Sequence, residues 1–347
     1  ELLPMCLERT DHRNPQRFED LYHNVVPGHY TEIYMDVTNK CNARCKYCKT
    51  GQANLCGASR AAPAYFMTAE EFARLHRHLL DHDIITPDCI YRIYNWYEPS
   101  LNPHLPDLFN YMHQVGIRLD MSTNAGKAID FSRVESCENW YGILFSMPGF
   151  SQSSYDRIHG FEFEQVKANI RATMAAIRER GFHGYAMINY HLYQFNIGEV
   201  RAAKAFADEL GLGLHTIFAY FNGTGGNGDY LAGTMDPLYL RDASRDLFFY
   251  HLDELIANKE RYFQEFNEPE SITLSEFCNV IPCRGSNDDD RIKSIFEITS
   301  YDELHGIYEG IFAQRRSNPQ YGNAWVWGHS YKRSWNHLFG FQDNTLI

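Results

Sequence analysis

The sequence has no apolar run approaching the roughly 18 to 20 residues that a membrane-spanning helix needs, so no such helix is expected. Positive charge is in the minority, with 32 Lys and Arg against 44 Asp and Glu and a net charge of −12. Phosphate affinity comes mainly from Lys and Arg, so a broad nucleic-acid-binding face is not expected either. The opening residues, Glu1-Leu2-Leu3-Pro4-Met5-Cys6, lack the basic start and apolar stretch of a secretory signal. No internal repeat or low-complexity block occurs. The expectation is a cytoplasmic protein that engages neither membrane nor nucleic acid.

What is present is an ordinary globular composition, 44% apolar over 347 residues, enough for a large core. There are nine cysteines: Cys6, Cys41, Cys45, Cys48, Cys56, Cys89, Cys137, Cys278 and Cys283. An odd count without a secretory signal argues against a disulfide framework. Reduced thiols, some of them binding metal or reacting, fit better.

Apolar patterning predicts strands at Thr31 to Val37, Ile90 to Tyr94, Ile117 to Met121, Tyr141 to Ser146, Tyr185 to Tyr190 and Leu214 to Ala219. Helical spacing fills the intervals. Thr68-Ala69-Glu70-Glu71 reads as a capping box, Gly116 and Gly181 as helix ends, and a weaker helix is expected near Ala128 to Val134. Such alternation means an α/β fold with a parallel sheet and right-handed crossovers. The pattern alone leaves an open sheet and a full or partial barrel equally available. After Phe221 a glycine-rich stretch precedes two helical segments, Leu238 to His251 and Leu252 to Phe266. The expected organisation is an N-terminal extension (1–29), a main α/β unit (30–221), a linker (222–236) and a C-terminal α-rich region (237–347).

Cys41-Asn42-Ala43-Arg44-Cys45-Lys46-Tyr47-Cys48 is the strongest local signal. Its spacing is C-x3-C-x2-C, in the loop leaving the first strand. Ligands of parallel α/β folds bind at that edge. A structural zinc ion wants four ligands, and here only Cys56 is near as a fourth. A disulfide would leave one thiol over. An iron–sulfur cluster is held by thiolates, and three of them leave one iron open to bind a reactant.

This loop resembles the signature of the radical S-adenosylmethionine (radical SAM) superfamily. The resemblance implies a partial (β/α)6 TIM-like barrel. It also implies a [4Fe–4S] cluster on Cys41, Cys45 and Cys48, with S-adenosylmethionine chelated to the fourth iron. One electron, from a flavodoxin- or ferredoxin-type donor, cleaves the cofactor to a 5′-deoxyadenosyl radical that abstracts hydrogen from substrate. Asn95-Trp96-Tyr97-Glu98-Pro99 is similar to the family's Gly-Gly-Glu-Pro segment at the cofactor's amino group, with Trp96 and Tyr97 in place of the glycines. By the same resemblance Tyr47 lies by the adenine, while Ser122 and Asn124 approach the ribose and carboxylate. Ser146 ends the fourth strand in Ser146-Met147-Pro148-Gly149, where the family usually has an Asp at the position of Pro148. Ser151 through Gly160 is also similar to the subgroup with SPASM or twitch extensions, and His191 after the fifth strand is a candidate substrate contact.

The subgroup's full SPASM set needs seven cysteines, which this chain lacks. A second cluster would have to recruit Cys278 and Cys283 together with Cys56, Cys89, Cys137 or a non-cysteine ligand. Cys278 and Cys283 are otherwise candidate hydrogen donors to a substrate radical, or buried apolar packing. The resemblance implies an oxidoreductase or epimerase. Only 40 residues precede Cys41, fewer than a leader-peptide-binding domain needs. The expected substrate is therefore a small polar molecule such as a sugar, aminocyclitol or nucleoside, in antibiotic or related biosynthesis. The alternatives are a peptide maturase and, in another class, a zinc-stabilised binding protein.

Overall fold

The computed structural model describes residue 26 and residues 28–58, 63–221, 229–230, 233–249, 271–282, 288–317 and 335–341. Cys283, the expected helix from Leu252 to Phe266 and most of the extension before Tyr30 lie outside these residues.

The repeating unit is a strand followed by a helix. β1 (Tyr30–Tyr34) leads through the cysteine loop to α1 (Lys49–Leu55) and α2 (Ala69–Asp81). β2 (Ile85–Arg92) leads to α3 (Leu105–Val115), and β3 (Arg118–Thr123) to β4 (Trp140–Met147). α4 (Gln152–Arg157) and α5 (Phe163–Glu179) follow, then β5 (Tyr185–Leu192), α6 (Val200–Glu209), β6 (Gly213–Phe218) and α7 (Pro237–Ala243). The expected capping box is present: the Thr68 side chain accepts from Glu71 N, and the Glu71 carboxylate accepts from Thr68 N. Gly116 and Gly181 end their helices at φ 79° and 82°, the left-handed region that glycine enters without strain.

All adjacent strands of the main sheet pair in parallel, in the order β6-β5-β4-β3-β2-β1 with a seventh strand beyond β1. This is an α/β partial barrel. The seventh strand, β7 (Ile272–Thr273), was not expected. It comes from the C-terminal region and pairs with β1. At the opposite edge, Asn336 takes the place of a strand. Its Oδ1 accepts from Thr216 N at 3.1 Å, its Nδ2 donates to Leu214 O at 2.7 Å, and Trp335 N donates to Thr216 O at 2.8 Å. Both outer strands of the six-strand unit are thus covered by residues far away in sequence, which satisfies edge N–H and C=O groups that would otherwise invite pairing. β8 (Asn279–Val280) and β9 (Lys293–Ser294) form a separate antiparallel pair, and α8 spans Tyr301–Ser317.

Two expected helices differ. None forms from Ala128 to Val134. Asp130 Oδ1 accepts from Ser132 N at 2.9 Å, and the Asn110 side chain donates to Arg133 O and accepts from Glu135 N. Side-chain partners replace helical ones, while Phe131 and Val134 still enter the core. The helix expected from Leu238 to His251 is shorter. α7 ends at Ala243, and the following turn delivers Asp246 to a buried site.

Tyr34, Arg92, Asp120, Gly142 and Tyr185 are register neighbours across β1 to β5. Arg92 donates to both Glu32 oxygens (3.0 and 2.9 Å) and to Asp120. Asp120 also accepts from Tyr94 at 3.0 Å and from Tyr185 at 2.7 Å. Gly142 makes this possible, because a Cβ there would sit 2.2 Å from the Tyr185 ring. Burial pushes Asp120 above the ordinary carboxylate range against the pull of Arg92 and the two hydroxyls. A charged pair buried in this way holds only while every partner is present.

Candidate active site

Side chains two residues apart on a strand share a face. Moving up each strand from the Arg92–Asp120 layer therefore reaches Tyr94, then Ser122 and Asn124, then Ser146. All of these line one pocket at the C-terminal edge of the sheet, together with Cys41, Cys45, Tyr47, Cys48, Tyr97 and Glu98. Nine residues singled out in the sequence for metal or cofactor binding are brought to one place.

The cysteine loop is held from several sides. Asn54 Nδ2 donates to Cys41 O at 2.9 Å and to Ala43 O at 2.6 Å, Arg44 N donates to His159 O at 3.0 Å, and Gln52 Nε2 donates to Lys46 O at 2.9 Å. α1 lies against the loop so closely that a Cβ at Gly51 would fall 2.3 Å from Cys45 O. Only glycine fits there. Burial pushes the Cys41 and Cys45 thiols well above their usual range. Glu98 adds to this at Cys41, as Cys48 and Cys41 do at Cys45. Thiolates in such surroundings need a nearby cation, which coordinated iron would supply. The donor set fits a cluster: three thiols, no imidazole among them, and one coordination place left over. Among the described residues, no three His, Cys, Asp or Glu side chains converge tightly enough to share a single metal ion.

Two buried carboxylates shape the strand ends. Asp36, just beyond β1, accepts three consecutive amides, from Asn95 (3.0 Å), Trp96 (3.0 Å) and Tyr97 (3.1 Å). Burial raises its pKa to about 7, opposed by those same amides. Glu98 accepts from Ser100 N (3.1 Å), Thr123 Oγ1 (2.6 Å) and Asn124 N (2.8 Å). Its carboxylate therefore ties the end of β2 to the end of β3, and burial pushes it above the ordinary range. Asn124 Nδ2 in turn donates to Asn42 Oδ1 at 2.9 Å, reaching the cysteine loop.

On the other flank Tyr47 stacks with Tyr193 (ring centroids 6.3 Å apart) and donates to Asp246 at 2.5 Å. Asp246, 1% exposed, also accepts from Lys46 at 3.0 Å and from Arg157. Burial works to raise its pKa, but these donors outweigh it and hold the carboxylate below its usual range. Asp246 and Asp36 were not anticipated from sequence. Asp36 left one trace, an acid inside an apolar strand run. Asp246 left none, since its partners Arg157, Tyr47 and Lys46 are 89, 199 and 200 positions away.

His159 and His191 also line the pocket. Burial and then His191 lower the pKa of His159 to about 3, while burial and then His215 lower that of His191 to about 4. Both rings are neutral near pH 7.

Cys278 is elsewhere. It sits at φ 59° in the turn before β8, 5% exposed within the main core, with its thiol pushed up to about 12 by burial. That placement corresponds to packing, and the pocket does not include it. Cys89 and Cys137 are core residues and Cys56 is exposed. The described cysteines beyond the triad are therefore not assembled into a second cluster site.

Among solved structures, the chain resembles Streptococcus suis SuiB bound to precursor peptide SuiA, with a TM-score of 0.56 at 13% identity over 86% of this chain and 70% of that one. SuiB bound to S-adenosylmethionine gives 0.57 at 12% identity over 88% and 72%. Histidine-tagged anSMEcpe with bound AdoMet gives 0.51 at 13% identity over 92% and 96%. The chain shares its fold with SuiB and anSMEcpe. No protein-family model and no curated protein matches the sequence. Among the described residues no helix is long and apolar enough to cross a membrane.

Proposed function

We propose that this protein is a radical SAM enzyme acting on a small polar substrate, as an oxidoreductase or epimerase in natural-product biosynthesis. The observation that carries this reading is the shared pocket, in which the C-x3-C-x2-C thiols meet the strand-end residues Glu98, Ser122, Asn124 and Ser146. Cys41, Cys45 and Cys48 would hold the [4Fe–4S] cluster, with Tyr47, Tyr97, Ser122, Asn124 and Ser146 around S-adenosylmethionine. When bound, this pair supplies hydrogen-abstracting radical chemistry, driven by one electron from a flavodoxin- or ferredoxin-type donor. The chain's own part is to orient and to shield. Asp36 fixes the backbone of Asn95 to Tyr97, Glu98 fixes that of Asn124, and Tyr47 and Tyr193 screen the loop from water. A zinc-stabilised binding protein fits less well, because a structural zinc ion takes four ligands, and Cys56, the fourth cysteine near in sequence, is exposed and does not line the pocket.

A peptide substrate is the second reading. It is favoured by the fold shared with SuiB, whose structure holds a precursor peptide.

Anaerobic reconstitution tests the proposal. About four irons per chain, with 5′-deoxyadenosine released from S-adenosylmethionine under reductant, is the expected result. One zinc and no iron would refute it.

A further inference from the structure

Among the described residues eight buried side-chain polar atoms have no hydrogen-bond partner, and two of them belong to rings that line the pocket. His159 Nδ1 and His191 Nε2 are shielded from water without a hydrogen-bond partner, and both rings line the pocket. Asn189 Oδ1 is likewise buried and unpaired. Asn189 lies two residues before His191 on β5, hence on the same face, and is register neighbour to Ser146. His159 is 4% exposed and Asn189 6%, so water does not freely satisfy them. A buried polar atom left unpaired is costly and calls for a ligand or function to explain it.

We propose that His159, His191 and Asn189 form a substrate subsite that reads an uncharged, hydroxyl-bearing small molecule. Asn189 Oδ1 accepts only, so the ligand must donate to it. A neutral imidazole nitrogen donates or accepts according to tautomer. A hydroxyl does both from one atom and therefore suits either. Among the described residues no Lys or Arg lines the pocket, so nothing there neutralises a phosphate or carboxylate substituent. The one carboxylate lining it, Glu98, already accepts three hydrogen bonds and is not free to select a cation. The subsite adjoins the cysteine loop, since Arg44 N donates to His159 O at 3.0 Å and Tyr193, two residues after His191, stacks on Tyr47.

This inference rests on the enzyme reading above but fails separately from it. The test is saturation-transfer NMR on the anaerobically reconstituted full chain with S-adenosylmethionine. The probes are myo-inositol, glucose 6-phosphate and the blocked dipeptide N-acetyl-alanyl-alanine amide. Transfer to myo-inositol is expected. His159→Leu and His191→Leu should each weaken its affinity roughly three- to tenfold, the worth of one neutral hydrogen bond. His159→Asn and His191→Gln, which return a polar nitrogen near the one lost, should restore it. If a Leu variant fails to fold, the Asn and Gln variants paired with Asn189→Leu still read the dependence. Absence of transfer to myo-inositol, transfer unchanged in all the Leu variants, or stronger transfer to glucose 6-phosphate overturns the subsite. Stronger transfer to the dipeptide overturns its hydroxyl assignment. Iron content and S-adenosylmethionine binding on the same samples decide the enzyme reading independently.

Discussion

Two polar layers occupy the interior of the same sheet, and they are built on opposite terms. In the lower one, Arg92 and Asp120 are surrounded by Glu32, Tyr94 and Tyr185, and each charged group has its partners. In the upper one, burial pushes the Cys41 and Cys45 thiols well above their usual range, and His159 and His191 each keep a ring nitrogen without a protein partner. The lower layer is closed chemistry that seals the sheet. The upper layer is open, with ring nitrogens at the pocket that the described residues do not pair. A polar interior is therefore not in itself a sign of function; what marks the upper layer is that its unpartnered imidazoles line the pocket.

The largest effect is expected at the upper layer. Replacing Cys41, Cys45 and Cys48 together with Ala should remove bound iron and abolish 5′-deoxyadenosine formation, while the fold persists by circular dichroism. Retention of either iron or product would sink the cluster assignment. In the lower layer, Asp120→Ala should cost about 3 kcal/mol of stability, because it leaves the buried guanidinium with Glu32 as its one remaining carboxylate partner. The double change Arg92→Met with Asp120→Leu should cost much less. Equal losses in denaturant melts would mean that the layer is not an ion pair but packing.

A smaller effect is expected from Gly51→Ala. Its Cβ meets Cys45 backbone, so the loop must shift at a cost of about 1 to 3 kcal/mol, and iron should be lost faster to a chelator. Unchanged iron retention would show that the loop tolerates movement. The mildest test is pH. His159 titrates near 6.5 when unfolded and near 3 when folded. Between those values the unfolded chain binds more protons, so stability rises with pH across that window and is lost as pH falls through it. The slope is at most about 1.4 kcal/mol per pH unit for this one group. His159→Asn should flatten the acid limb of a stability–pH curve, and an unaltered limb would contradict the burial of a neutral ring.

Much of the architecture is legible in local pattern. The strand positions, the Thr68 capping box and the Gly116 and Gly181 helix ends follow from periodicity and from backbone chemistry within a few residues. The cysteine spacing and the strand-end residues Glu98, Ser122, Asn124 and Ser146 could be marked because parallel sheets put their ligands at one edge. The Ala128 to Val134 helix was misleading because Asp130 and Asn110 offer the backbone side-chain partners, a competition that apolar periodicity does not register.

Other features had no local signature. β7 joins β1 across more than 200 positions, and Asn336 covers the edge of β6 from near the C-terminus. Asp246 reaches Lys46 and Tyr47 only through the folded chain. Cys278 looked like a candidate donor in the sequence, and the turn before β8 turns it into the core instead. The sequence by itself determined most of the strands, their parallel pairing and the clustering of three thiols in one loop, since each is written in neighbouring residues. Which polar groups end up paired and which are left open was decided only by the tertiary structure. Satisfaction of a buried atom depends on what the rest of the chain places within hydrogen-bond reach.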